Sequence, residues 1–255
     1  MLGAVAGDVI GSVYEGRPTK SRVFPLFTGD STFTDDTVLT VAVADALLHG
    51  KEYAGVFHDY VARYPAAGYG ASFAQWALRR SPRPYGSFGN GSAMRVSPVA
   101  WARDDLAAVL EEASKSAMVT HDHPEGLKGA AATAAAVYLA RQGCPKVEIR
   151  RYLSDTFGYR LDRSVDEIRP DYSFDVSCQG SVPESIICFL EAEDFEQAVR
   201  NAVSLGGDAD TMACIAGAIA EAFFGDVPAH IADEVRRRLD ARLIDVIDQF
   251  RSRFC

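Results

Sequence analysis

The sequence predicts an all-α protein, and three observations support this fold class. Apolar residues recur at helical spacing, for example at Leu106, Val109, Leu110, Ala113 and Ala117. No run of alternating apolar and polar residues indicates β-strands. Asp104 and Asp194 stand where N-caps of the following helices are expected. With 255 residues, 48% of them apolar, the chain is long enough for one sizeable core.

Periodicity and caps predict the helices in chain order. A first helix ends near Glu15, and further helices are expected over 36–49, 53–64, 71–80, 105–118, 125–141, 183–192, 195–204, 210–224 and 230–250. Turn-forming residues at 81–98 and 170–183 predict loops. Because both loops also contain apolar residues, neither resembles a flexible linker, and we expect a single domain over 1–255. Small residues crowd Val38–Leu48 and Met212–Phe223, which predicts that these two segments lie at the centre of the bundle.

Composition and sequence pattern argue against a nucleic-acid partner, a disulfide-bonded secreted protein and a membrane-spanning protein. The net charge of −9, from 26 Lys and Arg against 35 Asp and Glu, argues against a nucleic-acid partner. The five cysteines are odd in number and have no C-x-x-C spacing, so a reducing, cytoplasmic location is expected. The N-terminus lacks the pattern of a signal peptide, and the apolar stretch 130–140 is too short to span a membrane.

Two acidic motifs each precede a small-residue helix: Thr34-Asp35-Asp36-Thr37 and Asp208-Ala209-Asp210-Thr211. Neighbouring carboxylates repel each other unless a cation or hydrogen-bond donors offset the charge. Carboxylate and hydroxyl oxygens suit hard cations. Helix capping is the alternative interpretation. The second motif does not continue as a calcium-binding EF-hand loop, and the absence of a preceding strand disfavours an aspartyl phosphotransferase.

A glycine-rich segment, Phe88-Gly89-Asn90-Gly91-Ser92-Ala93-Met94-Arg95, is the next informative stretch. Its backbone N–H groups can form a nest for an anion, and Arg95 can add a charge-assisted contact to a phosphate. A plain surface turn is the alternative. The segment is neither a Walker A loop nor G-x-G-x-x-G.

Three further features are candidate parts of a functional site. Gly7 and Gly11 are unfavourable inside a helix, which predicts close packing or a ligand contact there. Glu15 is a candidate acid or base, or a solvated helix end. His121 and His123 lack further soft ligands for zinc, so phosphate contact or capping is expected.

Together these motifs resemble the ADP-ribosylglycohydrolase family, which includes the dinitrogenase reductase-activating glycohydrolases. The matching segments are spread in the expected order over residues 3–225: GDVIGSVYE, FTDDT, FGNGSAMR, THDHPEG, SVPESIICFL and SLGGDADTMACIAGAIAEAFFG. The resemblance implies a compact orthogonal all-α bundle with a central binuclear metal site, which holds two Mg²⁺ or, in some members, Mn²⁺.

The resemblance also implies the roles of individual residues. The implied metal ligands are Thr34, Asp35, Asp36, Asp208, Asp210 and Thr211. The implied substrate-binding residues are Phe88, Gly89, Asn90, Gly91, Ser92, Met94, Arg95 and His121. Glu15, Asp35 and Asp36 are the implied catalytic residues.

The implied reaction is hydrolysis of the bond at C1″ of an ADP-ribosyl group on a protein or a small molecule, with release of ADP-ribose. Water held at the metal site, or positioned by Asp35 or Asp36, attacks C1″, while Glu15 serves as acid or base. The segments around 181–190 and 204–211 are closest to members that cleave O-linked ADP-ribose, and the glutamate near position 15 also occurs in arginine-directed members. A non-hydrolytic ADP-ribose-binding module and a metal-dependent nucleotide phosphohydrolase are the alternatives. A monomer without membrane or nucleic-acid partners is the expected state.

Overall fold

The computed structural model describes residues 1–255 and consists of helices and loops without a β-sheet, so the predicted all-α class is confirmed. In chain order the helices are α1 (Leu2–Glu15), α2 (Asp35–His49), α3 (Tyr53–Arg63), α4 (Ala71–Leu78), α5 (Gly91–Met94), α6 (Ser97–Ala102), α7 (Leu106–Met118), α8 (Pro124–Arg141), α9 (Lys146–Phe157), α10 (Val165–Ile168), α11 (Cys178–Leu190), α12 (Phe195–Val203), α13 (Ala209–Phe224), α14 (Ala229–Arg236) and α15 (Ala241–Phe254). None of them combines the length and apolar character needed to cross a bilayer.

Several predicted boundaries are corrected by caps. The segment 230–250 is two helices, because Asp240 accepts hydrogen bonds from the N–H groups of Arg242 and Leu243 and starts α15. Helix α11 begins before the predicted residue 183, because Ser177 caps it. Asp105 rather than Asp104 caps α7. The short helix α5 lies inside the predicted loop 81–98, whereas α6 begins at the end of that loop and continues to Ala102. Helices α6, α9 and α10 are additional to the predicted set.

Helices α1 and α13 run antiparallel in close contact, and glycines make this possible. A Cβ on Gly7 would overlap the carbonyl of Ala213. A Cβ on Gly11 would lie 2.5 Å from the carbonyl oxygen of Ala209. Real Cβ atoms do not approach backbone so closely, so glycine is required at these positions. The predicted close packing at Gly7 and Gly11 is confirmed.

The contact between α1 and α13 helps to bring three helix ends together: the C-terminal end of α1 and the N-termini of α2 and α13. The C-terminal end of α1, which carries Glu15, lies beside the N-terminus of α13. The N-terminus of α2 is joined to α1 through Asp8. Both small-residue helices are largely buried, as predicted, but α13 packs mainly against α1 and meets α2 only over a short stretch. The two acidic motifs are therefore brought to one place.

Candidate metal centre and active-site cleft

Asp8 organises the first acidic motif. Its fully buried carboxylate accepts hydrogen bonds from the backbone N–H of Thr34 (2.9 Å) and of Thr37 (3.0 Å), and from the Thr34 hydroxyl (2.7 Å). The Thr37 hydroxyl is a fourth donor. Burial raises the pKa of Asp8, and these hydrogen bonds oppose the rise. Since donors already occupy both of its oxygens, Asp8 fits the role of an organising residue.

Capping does not explain the remaining carboxylates. At α2 the N-cap is Thr34, whose side chain accepts from the N–H of Asp36 at 3.3 Å. At α13 Asp208 occupies the N-cap position but makes no capping hydrogen bond with its side chain. Its Oδ2 instead accepts from Nδ2 of Asn90 at 2.7 Å. The helix-capping alternative thus accounts for Thr34 and leaves Asp35, Asp36 and Asp208 available for another role.

The two motifs form one carboxylate cluster. One oxygen from each of Asp8, Asp36 and Asp210 lies within 4.8 Å of the others, and the same holds for Glu15, Asp208 and Asp210. No lysine, arginine or histidine forms an ion pair with any of them, because the ion pairs of the protein engage other acidic residues. The aspartates of this group are buried and Glu15 lies at its exposed edge. Unpaired buried carboxylates of this kind are ionised only at a high cost in free energy unless a positive partner offsets their charge.

The raised pKa values of the carboxyl groups and one unused acceptor oxygen are the features expected of a site for a hard cation. Burial, and then the charge of Asp8, raise the pKa of Asp35 to about 7 and that of Asp36 well above its ordinary value. Burial and the charge of Asp36 act in the same way on the pKa of Asp210. Oδ1 of Asp36 is buried and has no hydrogen-bond partner. An all-oxygen donor set with an unused buried acceptor fits divalent cations such as Mg²⁺.

A cleft of about 410 Å³ opens above the cluster. It brings together most of the predicted site residues: Glu15, Thr34, Asp35, Asp36, Gly89, Asn90, Gly91, Met94, Arg95, His121, Asp208, Asp210 and Thr211. Ser92 lies outside the lining, where its hydroxyl donates to the carbonyl of Gly126 at 2.7 Å. Phe88 also lies outside it, 49% exposed, with its ring 5.3 Å from that of His123.

The glycine-rich segment is anchored rather than free. The N–H of Asn90 donates to the carbonyl of Val176 at 2.8 Å, and the N–H of Cys178 donates to the carbonyl of Phe88 at 2.8 Å. Gly89 and Ser177 form an isolated β-bridge. The plain-turn alternative does not account for this anchoring, which fixes one wall of the cleft.

The structure places Arg95 and the two loop histidines in distinct positions. The Arg95 side chain is fully buried, with its guanidinium 4.5 Å above the ring of Phe57. Its Nη2 donates to the carbonyl of Ser116 at 3.1 Å and to the hydroxyl of Thr120 at 2.9 Å. His121 lines the cleft, whereas His123 caps α8 by accepting from the N–H of Glu125.

Sequence reasoning missed several residues of the site. Asp8 was missed, although it is the one charged residue in the apolar stretch 1–14, and that isolation was an available signal. The cleft is also lined by Tyr85, by Val176 and, around the start of α4, by Gly68, Gly70, Ala71, Ser72 and Phe73. These residues carry no motif: Tyr85 lies in the loop between α4 and α5, and Val176 lies in the loop before α11.

The fold and the site define an all-α protein with a buried carboxylate cluster suited to divalent cations at the floor of a cleft. Residues 1–254 match the sequence profile of a family described as ADP-ribosylglycohydrolase. The chain belongs to the ADP-ribosylglycohydrolase family and is an enzyme of that class.

Individual relatives agree with this assignment. ADP-ribosylhydrolase ARH3 of Danio rerio is 31% identical, over 88% of this chain and 81% of the relative. ADP-ribosylhydrolase ARH3 of Homo sapiens is 26% identical, over 88% and 84%. ADP-ribosylarginine hydrolase Tri1 of Pseudomonas putida is 26% identical, over 88% and 69%. A solved structure titled "ADP-ribosylglycohydrolase-related protein complex" has a TM-score of 0.74 and 25% identity, over 98% of this chain and 95% of that one.

Proposed function

We propose that the chain hydrolyses the glycosidic bond at C1″ of ADP-ribosyl groups, with Mg²⁺ as cofactor, and releases ADP-ribose. The acceptor is a serine or arginine side chain of a protein, or a small molecule. The observation that carries the proposal is the cluster of unpaired carboxylates from two distant motifs at the floor of a cleft. The relatives named as an ADP-ribosylhydrolase and an ADP-ribosylarginine hydrolase support the substrate class.

The ligands of two Mg²⁺ ions, for which Mn²⁺ can substitute, are Thr34, Asp35, Asp36, Asp208, Asp210 and Thr211. Divalent cations held by these residues would supply positive charge that polarises the reacting centre and binds the ribose hydroxyls. Three observations support this set: the oxygen-only donors, the unused Oδ1 of Asp36 and the lack of a basic partner. Asp8 holds the first motif in shape by hydrogen bonding to Thr34 and Thr37.

Glu15 is the proposed acid and base. Its carboxylate lies beside Asp208 and Asp210, at the edge of the cleft. Burial, and then the charge of Asp208, raise its pKa, which favours a proton that can pass to the leaving group. Asp35 and Asp36 orient the attacking water toward C1″.

The anchored glycine-rich wall binds the diphosphate. The N–H of Asn90 is used within the protein, so the N–H groups of Gly91 and Ser92 are the proposed donors to phosphate. Met94 and His121 line the same side of the cleft. A phosphate contact by Arg95 stays a prediction, and its Nε and Nη1 have no partner in the protein. Phe88, which is half exposed and lies outside the cleft lining, is the proposed apolar contact.

The identity of the product tests the proposal. The purified protein is incubated with serine- and arginine-ADP-ribosylated peptides and Mg²⁺, and the products are separated by chromatography. We expect free ADP-ribose and an unmodified peptide. Release of AMP or inorganic phosphate would instead indicate a nucleotide phosphohydrolase. Tight binding of ADP-ribose without turnover of either peptide would indicate a binding module.

A further inference from the structure

His121 presents one ring nitrogen to the cleft. The residue is 4% exposed and follows the C-terminal end of α7. A Cβ built on Gly91 would lie 3.2 Å from Nε2 of His121, and one on Gly89 would lie 3.7 Å from it. Nε2 therefore faces the glycine-rich wall. The only side-chain hydrogen bond of the ring is made by its other nitrogen, Nδ1.

A series of buried hydrogen bonds runs from Arg95 through Thr120 and ends at Nδ1 of His121. Nη2 of Arg95 lies 2.9 Å from Oγ1 of Thr120, which in turn lies 2.7 Å from Nδ1 of His121. All three side chains are buried. Burial lowers the pKa of Arg95 to about 10, so the guanidinium remains charged at neutral pH.

The direction of each hydrogen bond in this chain follows from donor chemistry. A guanidinium can only donate, so Oγ1 of Thr120 accepts from Arg95. The Thr120 hydroxyl still has its own proton, and Nδ1 of His121 is the only other hydrogen-bond partner of Oγ1. The hydroxyl therefore donates to Nδ1, which must be the unprotonated nitrogen of the ring.

We propose that Arg95 and Thr120 are positioning residues that hold His121 in the tautomer protonated at Nε2. The ring then donates a hydrogen bond into the cleft, to an anionic phosphate oxygen of the substrate. The identity of that ligand rests on the proposed function, whereas the tautomer does not. In the opposite tautomer the lone pair of Nε2 would face the same oxygen and repel it.

The ionisation state of the ring supports this inference. Burial, and then the charge of Arg95, lower the pKa of His121 well below its ordinary value, so the ring is neutral at pH 7. A neutral imidazole donates from one nitrogen only, and the hydrogen bond at the other nitrogen selects which one. In this arrangement Arg95 acts on the ligand through Thr120 and His121.

Substitutions of Thr120 test the chain of hydrogen bonds. Thr120→Val keeps the shape and removes the hydroxyl, and we expect it to weaken ADP-ribose binding about tenfold or more, because a hydrogen bond to a charged group is lost. Thr120→Ser restores the hydroxyl and should restore the affinity. In a His121→Ala background, Thr120→Val should cause no further loss. Binding is measured by isothermal titration calorimetry.

A matched control is available in α8. Thr133 is also fully buried, and its hydroxyl has no partner. Thr133→Val should therefore leave ADP-ribose affinity unchanged within about twofold. Equal losses in Thr120→Val and Thr133→Val would overturn the proposed positioning role.

The tautomer itself is read directly by long-range ¹H–¹⁵N correlation NMR of the ¹⁵N-histidine-labelled protein without ligand. We expect Nε2 of His121 to show the signature of a protonated nitrogen and Nδ1 that of an unprotonated one. Protonated Nδ1 in the wild-type protein would overturn the proposal, whatever the substrate is. The expected tautomer in a protein that binds no ADP-ribose would instead contradict the proposed function and leave the assignment of the tautomer standing.

Discussion

The hydroxyl of Thr211 donates a hydrogen bond to Oδ2 of Asp36 at 3.2 Å, although 175 positions separate the two residues in the sequence. This contact joins the two acidic motifs directly. It also leaves Oδ1 of Asp36 buried and without a partner. The two motifs are therefore halves of a single carboxylate cluster.

Neutralising one carboxylate should abolish function while stabilising the metal-free protein. We expect Asp36→Asn and Asp210→Asn each to reduce hydrolysis at least about a hundredfold, because the cation supplies several kcal/mol of charge stabilisation. In the presence of a chelator, the same variants should melt about 3 °C or more above the wild type, since a buried repulsion is removed. Activity assays and calorimetry measure the two effects, with the exposed Asp104→Asn as the control.

The stability of the metal-free protein should depend on pH in a defined direction. The pKa of Asp35 is raised to about 7 in the folded state, so its contribution is most favourable at low pH and is lost as pH rises through about 7. Asp36 and Asp210, whose pKa values are also raised, act in the same direction. With a chelator, the protein should melt at a higher temperature at about pH 6 than at about pH 8.

Magnesium should change this pH dependence. A bound cation favours the ionised carboxylates, so saturating Mg²⁺ should raise the melting temperature most at about pH 8. An equal shift at both pH values, or no shift, would contradict the assignment of these carboxylates as ligands.

Glu15 should matter for turnover far more than for binding. Glu15→Gln keeps the size of the side chain and removes its ability to exchange a proton. We expect kcat to fall at least about a hundredfold, as is usual for loss of a general acid or base. The dissociation constant of ADP-ribose should change by less than about threefold, since the leaving group is absent from that ligand. A matched loss of affinity would assign Glu15 to ligand or metal binding instead.

The glycines between α1 and α13 should be required for stability. Gly11→Ala places a Cβ 2.5 Å from the carbonyl oxygen of Ala209, next to the second acidic motif. We expect it to lower the free energy of unfolding by about 3 kcal/mol or more, because backbone cannot move aside as a side chain can. Gly16→Ala, at a position where a Cβ meets no neighbour, is the control. Denaturant titration measures both variants.

The parts of the fold predicted from the sequence were those encoded by local signals. Asp35, Asp36, Asp208 and Asp210 stand in two short acidic motifs, so the sequence already indicated which carboxylates would form the cluster, and apolar spacing indicated most helices. The division between α14 and α15 depends on one cap at Asp240, which periodicity alone does not reveal. The role of Asp8 depends on contacts with Thr34 and Thr37 across two helices, and such long-range contacts leave no local pattern.

The direction of the Arg95 side chain is a second feature that the sequence alone does not predict. Its position in a glycine-rich segment indicated a phosphate contact, and the structure shows a buried guanidinium bonded to Ser116 and Thr120. Which way its side chain points is set by the aromatic ring of Phe57 and by the end of α7. Neither can be read from the residues around Arg95.

Cation-dependent hydrolysis is measured most directly as the rate of ADP-ribose release from ADP-ribosylated peptides by the wild type and by Asp210→Asn, each with Mg²⁺ and with a chelator. We expect release by the wild type with Mg²⁺ and recovery of that rate when Mg²⁺ is restored after chelation. Under either condition, we expect Asp210→Asn to release ADP-ribose at least about a hundredfold more slowly than the wild type with Mg²⁺. Equal rates with Mg²⁺ and with the chelator, or an Asp210→Asn protein as active as the wild type, would contradict cation-dependent hydrolysis.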